Sequence, residues 1–166
     1  AYVMELYHGP TCAFKDVALQ LLPQLVACAK KATDMKDEIV ILTATSGDTG
    51  KAALEGFADV PKTKIIVFYP VDGVSAMQKL QMTTQIGSNV AVCAIEGNFD
   101  DAQTGVKNIF SDADMQKFLA EEKKAFSSAN SINFGRLVPQ IIYYVSAYCD
   151  LVKDGKIKLG DKINVV

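Results

Sequence analysis

The stretch IVILTATSGDTGKAA, residues 39–53, decides the fold. Its first four residues are all apolar, as a strand buried on both faces requires. A cluster of small hydroxylated and glycine residues follows, and then a run that suits a helix. Strand, glycine turn and helix N-terminus together make an anion site, because free backbone N–H groups and the helix dipole both face the turn. Thr43, Thr45, Ser46 and Thr49 add four hydroxyls beside those amides. The same pattern also suits an ordinary strand-to-helix turn with a Ser/Thr cap, so the rest of the chain must decide.

Downstream the alternation repeats. Residues 49–57 suit a helix closed by Pro61, and residues 64–69 form a second β-branched strand ended by Pro70. Ser75 opens a helix to 85, and Gly87-Ser88-Asn89 leads into a strand over 90–95. Phe99, Ala102, Val106, Ile109 and Phe110 mark one helix face. Ser111 with Asp114 resembles a capping box for a further helix to about residue 124. Residues 127–133 are polar, and 137–152 read as one long helix with Ile141, Tyr144, Val145, Tyr148 and Leu151 on one face.

Upstream, residues 2–7 read as extended and His8-Gly9-Pro10-Thr11 as a turn. Residues 16–31 read as a helix with Ala18, Leu21, Leu22, Leu25 and Ala29 along one face, Asp16 suiting its start and Lys30-Lys31 its end. Residues 163–166 read as a strand that stops without a turn, as in a fragment of a larger protein. Strands alternating with helices predict an α/β fold: a parallel sheet of about four to five strands with crossover helices in three layers. Ligands in such sheets sit beyond the carboxyl ends of the strands, where residues 45–50 lie.

With 166 residues, 49% hydrophobic and 22% charged, the chain fits one domain with a substantial core. A net charge of -2 without a basic run longer than a lysine pair argues against nucleic acid. No apolar stretch has the ~18–20 residues of a membrane span. The four cysteines, at 12, 28, 93 and 149, fit scattered reduced thiols in a cytoplasmic protein. With no close pair among them and a single histidine, His8, no metal site is expected. Gly50-Lys51 after a glycine turn suggests a nucleotide P-loop. That motif would need Gly at Thr45 and Ser/Thr at Ala52, and it fails at both.

Lys15 sits where a Gly-Pro turn gives way to an apolar helix. Desolvation and the dipole can lower the pKa of such an amine, and a neutral amine can form a Schiff base; a solvated lysine beside an acid is the plainer alternative. Three segments then carry a family resemblance. ELYHGPTCAFKD (5–16) resembles the segment that bears the pyridoxal phosphate lysine in threonine synthases, and TSGDTGKAA (45–53) resembles their cofactor- and phosphate-contacting turn. SANSINFGR (128–136) is similar to their third motif, with the Tyr143-Tyr144 helix after it. The match is to the longer, bacterial and fungal form.

The resemblance implies a pyridoxal phosphate enzyme of fold type II that converts O-phosphohomoserine and water to threonine and phosphate. It implies that Lys15 is the Schiff-base lysine and proton shuttle. Ser46, Gly47 and Asp48 would lie against the cofactor, Asp48 facing its phenolic oxygen. Thr45, Thr49, Asn130, Ser131 and Arg136 would hold the substrate phosphate. Arg136 is the only arginine in the chain, and planar bidentate pairing with phosphate is arginine chemistry. Cys12 replaces a larger aliphatic, and a carboxylate at Asp48 would repel a phenolate unless the two share a proton. His8 suits either an active-site contact or a turn.

The resemblance also implies that residues 1–166 are a single domain or fragment of the catalytic region. An N-terminal portion and the C-terminal half would be missing, leaving the fragment inactive alone. Another elimination or dehydration on the same fold, and a non-catalytic phosphate- or cofactor-binding relative, are the alternatives.

Overall fold

The computed structural model describes residues 1–166. Four parallel strands, β1 (Glu38–Ala44), β2 (Thr63–Pro70), β3 (Val90–Ile95) and β4 (Lys124–Ser128), lie in the order β3-β2-β1-β4. Side chains alternate across β1 and feed two cores. Ile39 and Ile41 join Ile65 and Val67 under α1 (Asp16–Ala32), α2 (Asp48–Phe57) and α3 (Ala76–Thr83), around Leu19, Leu22, Phe57 and Met82. Val40, Leu42 and Ala44 face α4 (Phe99–Ser111) and α5 (Ala113–Glu121), where Ala102, Val106 and Leu119 fill the second core. The α/β three-layer arrangement expected from the alternation is the one observed.

From β1 the chain winds outward to β2 and β3, and α4 and α5 then carry it across the other face to β4. The winding direction therefore reverses between β1 and β4. Crevices at such switch points, outside the carboxyl ends of the strands, are where open α/β sheets bind ligands.

Several local expectations are corrected. Neither residues 2–7 nor 163–166 form a strand; the fourth strand is β4, in a stretch read as helix end and polar loop. KAFSS carries little strand propensity and forms through pairing with β1, from Glu38 opposite Lys124 to Leu42 opposite Ser128. In α1 the buried stripe is Ala18, Leu19, Leu22 and Pro23, leaving Leu21, Leu25 and Ala29 exposed. The helix is rotated because Gly56 lets it close onto α2: a Cβ there would stand 2.0 Å from the Leu19 carbonyl oxygen. Asp112 caps α5 through Met115 N–H (2.8 Å), displacing the box expected at Ser111. The helix expected over 137–152 starts only at Ile141, as α7 (Ile141–Lys153); before it come α6 (Phe134–Leu137) and a 3₁₀ turn at Pro139 (Val138–Gln140), and α7 buries none of its residues. No helix is long and apolar enough to cross a membrane.

Candidate active site

The turn after β1 is closed by its own side chains. Thr45, 1% exposed, accepts at Oγ1 from the amides of Gly47 (3.0 Å) and Gly50 (2.9 Å) and donates to the Gly47 carbonyl (3.1 Å). It thereby caps α2 from two residues before the N-cap position, which Gly47 occupies without a side chain. Asp48 accepts at Oδ1 from Thr49 N–H (2.8 Å). The amides of Gly47, Thr49 and Gly50 are thus already bonded, so the open backbone cradle expected from the sequence is largely filled. Thr43 is fully buried in β1 with its hydroxyl unpartnered, away from the turn. Lys51 bonds Glu55 (3.0 Å) and Gln85 rather than reaching over the turn.

Lys15 is delivered by a second knot. Asp16, buried at the start of α1, accepts from the amides of Thr11 (3.0 Å) and Ala13 (3.3 Å) and from the Thr11 hydroxyl. Gly9 fits beside it because any Cβ would strike the carboxylate. Tyr143 on α7 donates its hydroxyl to the Phe14 carbonyl, and burial raises this phenol above its ordinary value. So held, Lys15 places Nζ 2.7 Å from Asp48 Oδ2 and 4.2 Å from the centre of the Phe14 ring. The lysine side chain is 12% exposed and its carboxylate partner 41%.

The loop after β4 forms the opposite lip. Asn130 donates from Nδ2 to the Ala44 carbonyl (2.8 Å) and accepts at Oδ1 from the Ala44 amide (3.0 Å). These bonds continue the ladder two residues beyond the last pair, Leu42 with Ser128. Asn133 ties the Ser128 carbonyl (2.8 Å) and caps α6 at Gly135 N–H (3.0 Å). Arg136, 8% exposed, follows on α6. Its Nη1 donates to the Ala129 carbonyl (3.3 Å), its Nε has no partner, and no carboxylate lies within ion-pair distance. Burial lowers its pKa and the Asp48 charge opposes that shift, so the two groups share one field.

The structure therefore brings Lys15, Asp48 and Arg136 together at the crevice between β1 and β4. Thr45 has its hydroxyl committed to the turn's backbone as both donor and acceptor, whereas Asn130 bonds Ala44 through both ends of its carboxamide and keeps a second Nδ2–H. Thr49 is buried, Ser46 and Ser131 are exposed, and His8 is exposed beside Glu5 at 3.2 Å. The sequence reading gave no role to Gln78, named Tyr143 only as part of the helix after the third motif, and took Asp16 only as a dipole partner. Ser75-Ala76-Met77-Gln78 was a legible capping box; nothing local announced Tyr143. A cavity of about 580 Å³ opens along β4, lined by Lys107, Phe110, Ser127 and Phe134 among others, but by none of the three charged groups.

No family model matches the chain. It is 43% identical over 171 residues to threonine synthase-like 1 of Homo sapiens, an alignment covering 99% of this chain and 22% of that protein. It is 46% identical over 152 residues to the threonine synthase of Pseudomonas aeruginosa, covering 90% of this chain and 30% of that one. The PLP-bound threonine synthase of Brucella melitensis superposes with a TM-score of 0.75 at 44% identity, over 89% of this chain and 30% of that one. The chain is homologous to a segment of the threonine synthases. It spans between 22% and 30% of the length of these relatives. The parallel sheet, with its turn after β1, is thus a fold shared with threonine synthases.

Proposed function

We propose that the chain carries the cofactor lysine and the phosphate-binding arginine of a threonine synthase. That enzyme converts O-phosphohomoserine and water to threonine and phosphate with pyridoxal phosphate. The observation that carries this reading is Arg136. A buried guanidinium without a carboxylate is costly to keep, and it becomes favourable when an anion completes it.

The donor set fits an anionic, aldehyde-bearing cofactor and a phosphorylated substrate. Lys15 offers an amine for covalent attachment, Asp48 orients that amine, and Arg136 offers a planar pair of donors to phosphate. Bound there, pyridoxal phosphate supplies an electron sink for carbanions formed on the substrate. Lys15 Nζ moves protons, since it is the one amine held at the crevice. Arg136 binds and orients the phosphate that leaves. Thr45 and Asn130 act as positioning residues that fix the turn and the β1–β4 seam, and Ser46, Thr49 and Ser131 line the rim. A cytoplasmic location belongs to the same reading, in keeping with four free cysteines.

The test uses the longest natural form of the protein. Borohydride reduction with pyridoxal phosphate is expected to label Lys15, and phosphate release is expected from O-phosphohomoserine but not from O-phosphoserine. Absence of label at Lys15 refutes the enzyme reading. The alternative is another elimination or dehydration on the same fold. Labelling without phosphate release would select it.

A further inference from the structure

Gln78 belongs to no role assigned so far, yet it lies on the turn. It is the third residue of α3 and shares a capping box with Ser75. Oε1 accepts from the Ser75 amide (3.3 Å) and hydroxyl (3.0 Å), while the Gln78 amide donates to Ser75 Oγ (3.2 Å). A backbone N–H can only donate, so this bond fixes which end of the carboxamide is oxygen. Nε2 makes no hydrogen bond within the protein. The amide group fills the volume a side chain at position 47 would take: a Cβ on Gly47 would stand 2.3 Å from Nε2. One helical turn on, Met82 fills the same volume at Gly50, with Sδ 2.6 Å from a Cβ there.

Two glycines at i and i+3 thus receive two α3 residues at i and i+4, which presses α3 onto the mouth of the turn. This contact comes from the β2 side of β1, whereas Lys15 and Arg136 approach from the β4 side. The turn's amides at Gly47, Thr49 and Gly50 are bonded internally, which leaves few neutral donors on the turn itself, and Gln78 adds one from α3. We infer that Gln78 donates from Nε2 to a phosphate oxygen of the ligand held over residues 45–48, opposite Arg136. The inference rests on the proposed phosphate site and adds to it a specificity-determining residue.

The replacement Gln78→Glu separates this role from a merely structural one. Glutamate is an equally good capping-box partner and is favoured in the first turn of a helix, so α3 keeps its cap. What changes is that Nε2 becomes an anionic oxygen facing the ligand. Calorimetric titration of the longest natural form with inorganic phosphate is expected to show affinity lowered about tenfold or more in Gln78→Glu, with an unchanged or higher Tm. Gln78→Met, neutral and of similar volume, is expected to lose about threefold to tenfold in affinity, together with some Tm from the lost cap.

Loss of affinity in both variants supports the inference. Loss in Gln78→Met alone, tracking Tm, or in Gln78→Glu alone, from repulsion, overturns it. Wild-type affinity in both variants with loss in Arg136→Met overturns it and leaves the phosphate site standing. A wild-type protein that binds no phosphate, or an Arg136→Met variant that binds it undiminished, overturns the site and the inference together. Competition names the phosphate concerned: displacement by pyridoxal phosphate but not pyridoxal assigns the cofactor's, and binding that survives both assigns the substrate's.

Discussion

The resemblance gives Thr45 to the ligand, whereas its bonds give it to the turn, and the two assignments predict different behaviour. In Thr45→Val the shape is kept and the hydroxyl removed. The amides of Gly47 and Gly50 lose their acceptor in a site that is 1% exposed at Thr45 and buried at both glycines. A buried donor left unsatisfied costs about 1–3 kcal/mol, so two of them destabilise by about 2–4 kcal/mol once partial relaxation is allowed. Thr45→Ser keeps all three bonds and loses only the methyl packed on Gly50, about 1 kcal/mol.

Urea unfolding of the 166-residue chain, followed by far-UV circular dichroism, reads both values. With a slope of about 2 kcal/mol/M, the Thr45→Val midpoint falls by about 1–2 M and that of Thr45→Ser by about 0.5 M. Coincident wild-type and Thr45→Val midpoints would refute the capping role. If such a variant also lost affinity for phosphate, Thr45 would return to the ligand.

Arg136→Met removes a buried cation that has no counter-charge, so in phosphate-free buffer it leaves stability unchanged or raises it by about 1 kcal/mol or more. Phosphate at 100 times Kd stabilises the wild type by about 2.7 kcal/mol and should leave Arg136→Met unmoved; equal stabilisation of both proteins would remove Arg136 from the site. Tyr143 has its folded-state pKa raised by burial, so its contribution is fully present below the ordinary tyrosine value and lost as pH rises through the higher folded value. Melting between neutral pH and strongly alkaline pH should show a fall in the wild type that is shallower in Tyr143→Phe. Superimposed alkaline limbs would show that the Phe14 clasp does not depend on the phenol's proton.

The elements with strong periodicity were legible. Residues 90–95 and the buried run at 39–44 needed no tertiary information, because β-branched and apolar residues bounded by turn chemistry admit few alternatives. What was illegible depended on partners far away in sequence. β4 has no strand signal of its own and exists because β1 offers an edge in register. The buried face of α1 turns on Gly56, some forty residues downstream of Asp16 and part of a different helix. Pro139, by contrast, was visible, and the long-helix reading passed over the donor it removes.

At the site, residue types and spacing located the crevice but not the work of each side chain. A threonine beside a glycine turn reads the same whether its hydroxyl faces a ligand or caps the next helix; only the direction of Oγ1 separates the two. Asp48 shows the converse. Beside a phenolic oxygen alone its carboxylate makes no electrostatic sense. In the fold it lies 2.7 Å from Lys15 Nζ and in the field of Arg136, so it is held by cations. Two cations and one carboxylate leave one positive charge at the crevice. Asparagine at 48 would leave two charges with no counter-charge, and an uncharged residue at 136 would leave none for an anion. The carboxylate therefore offsets one of the two cations and leaves a surplus positive charge at the crevice, which suits an anion.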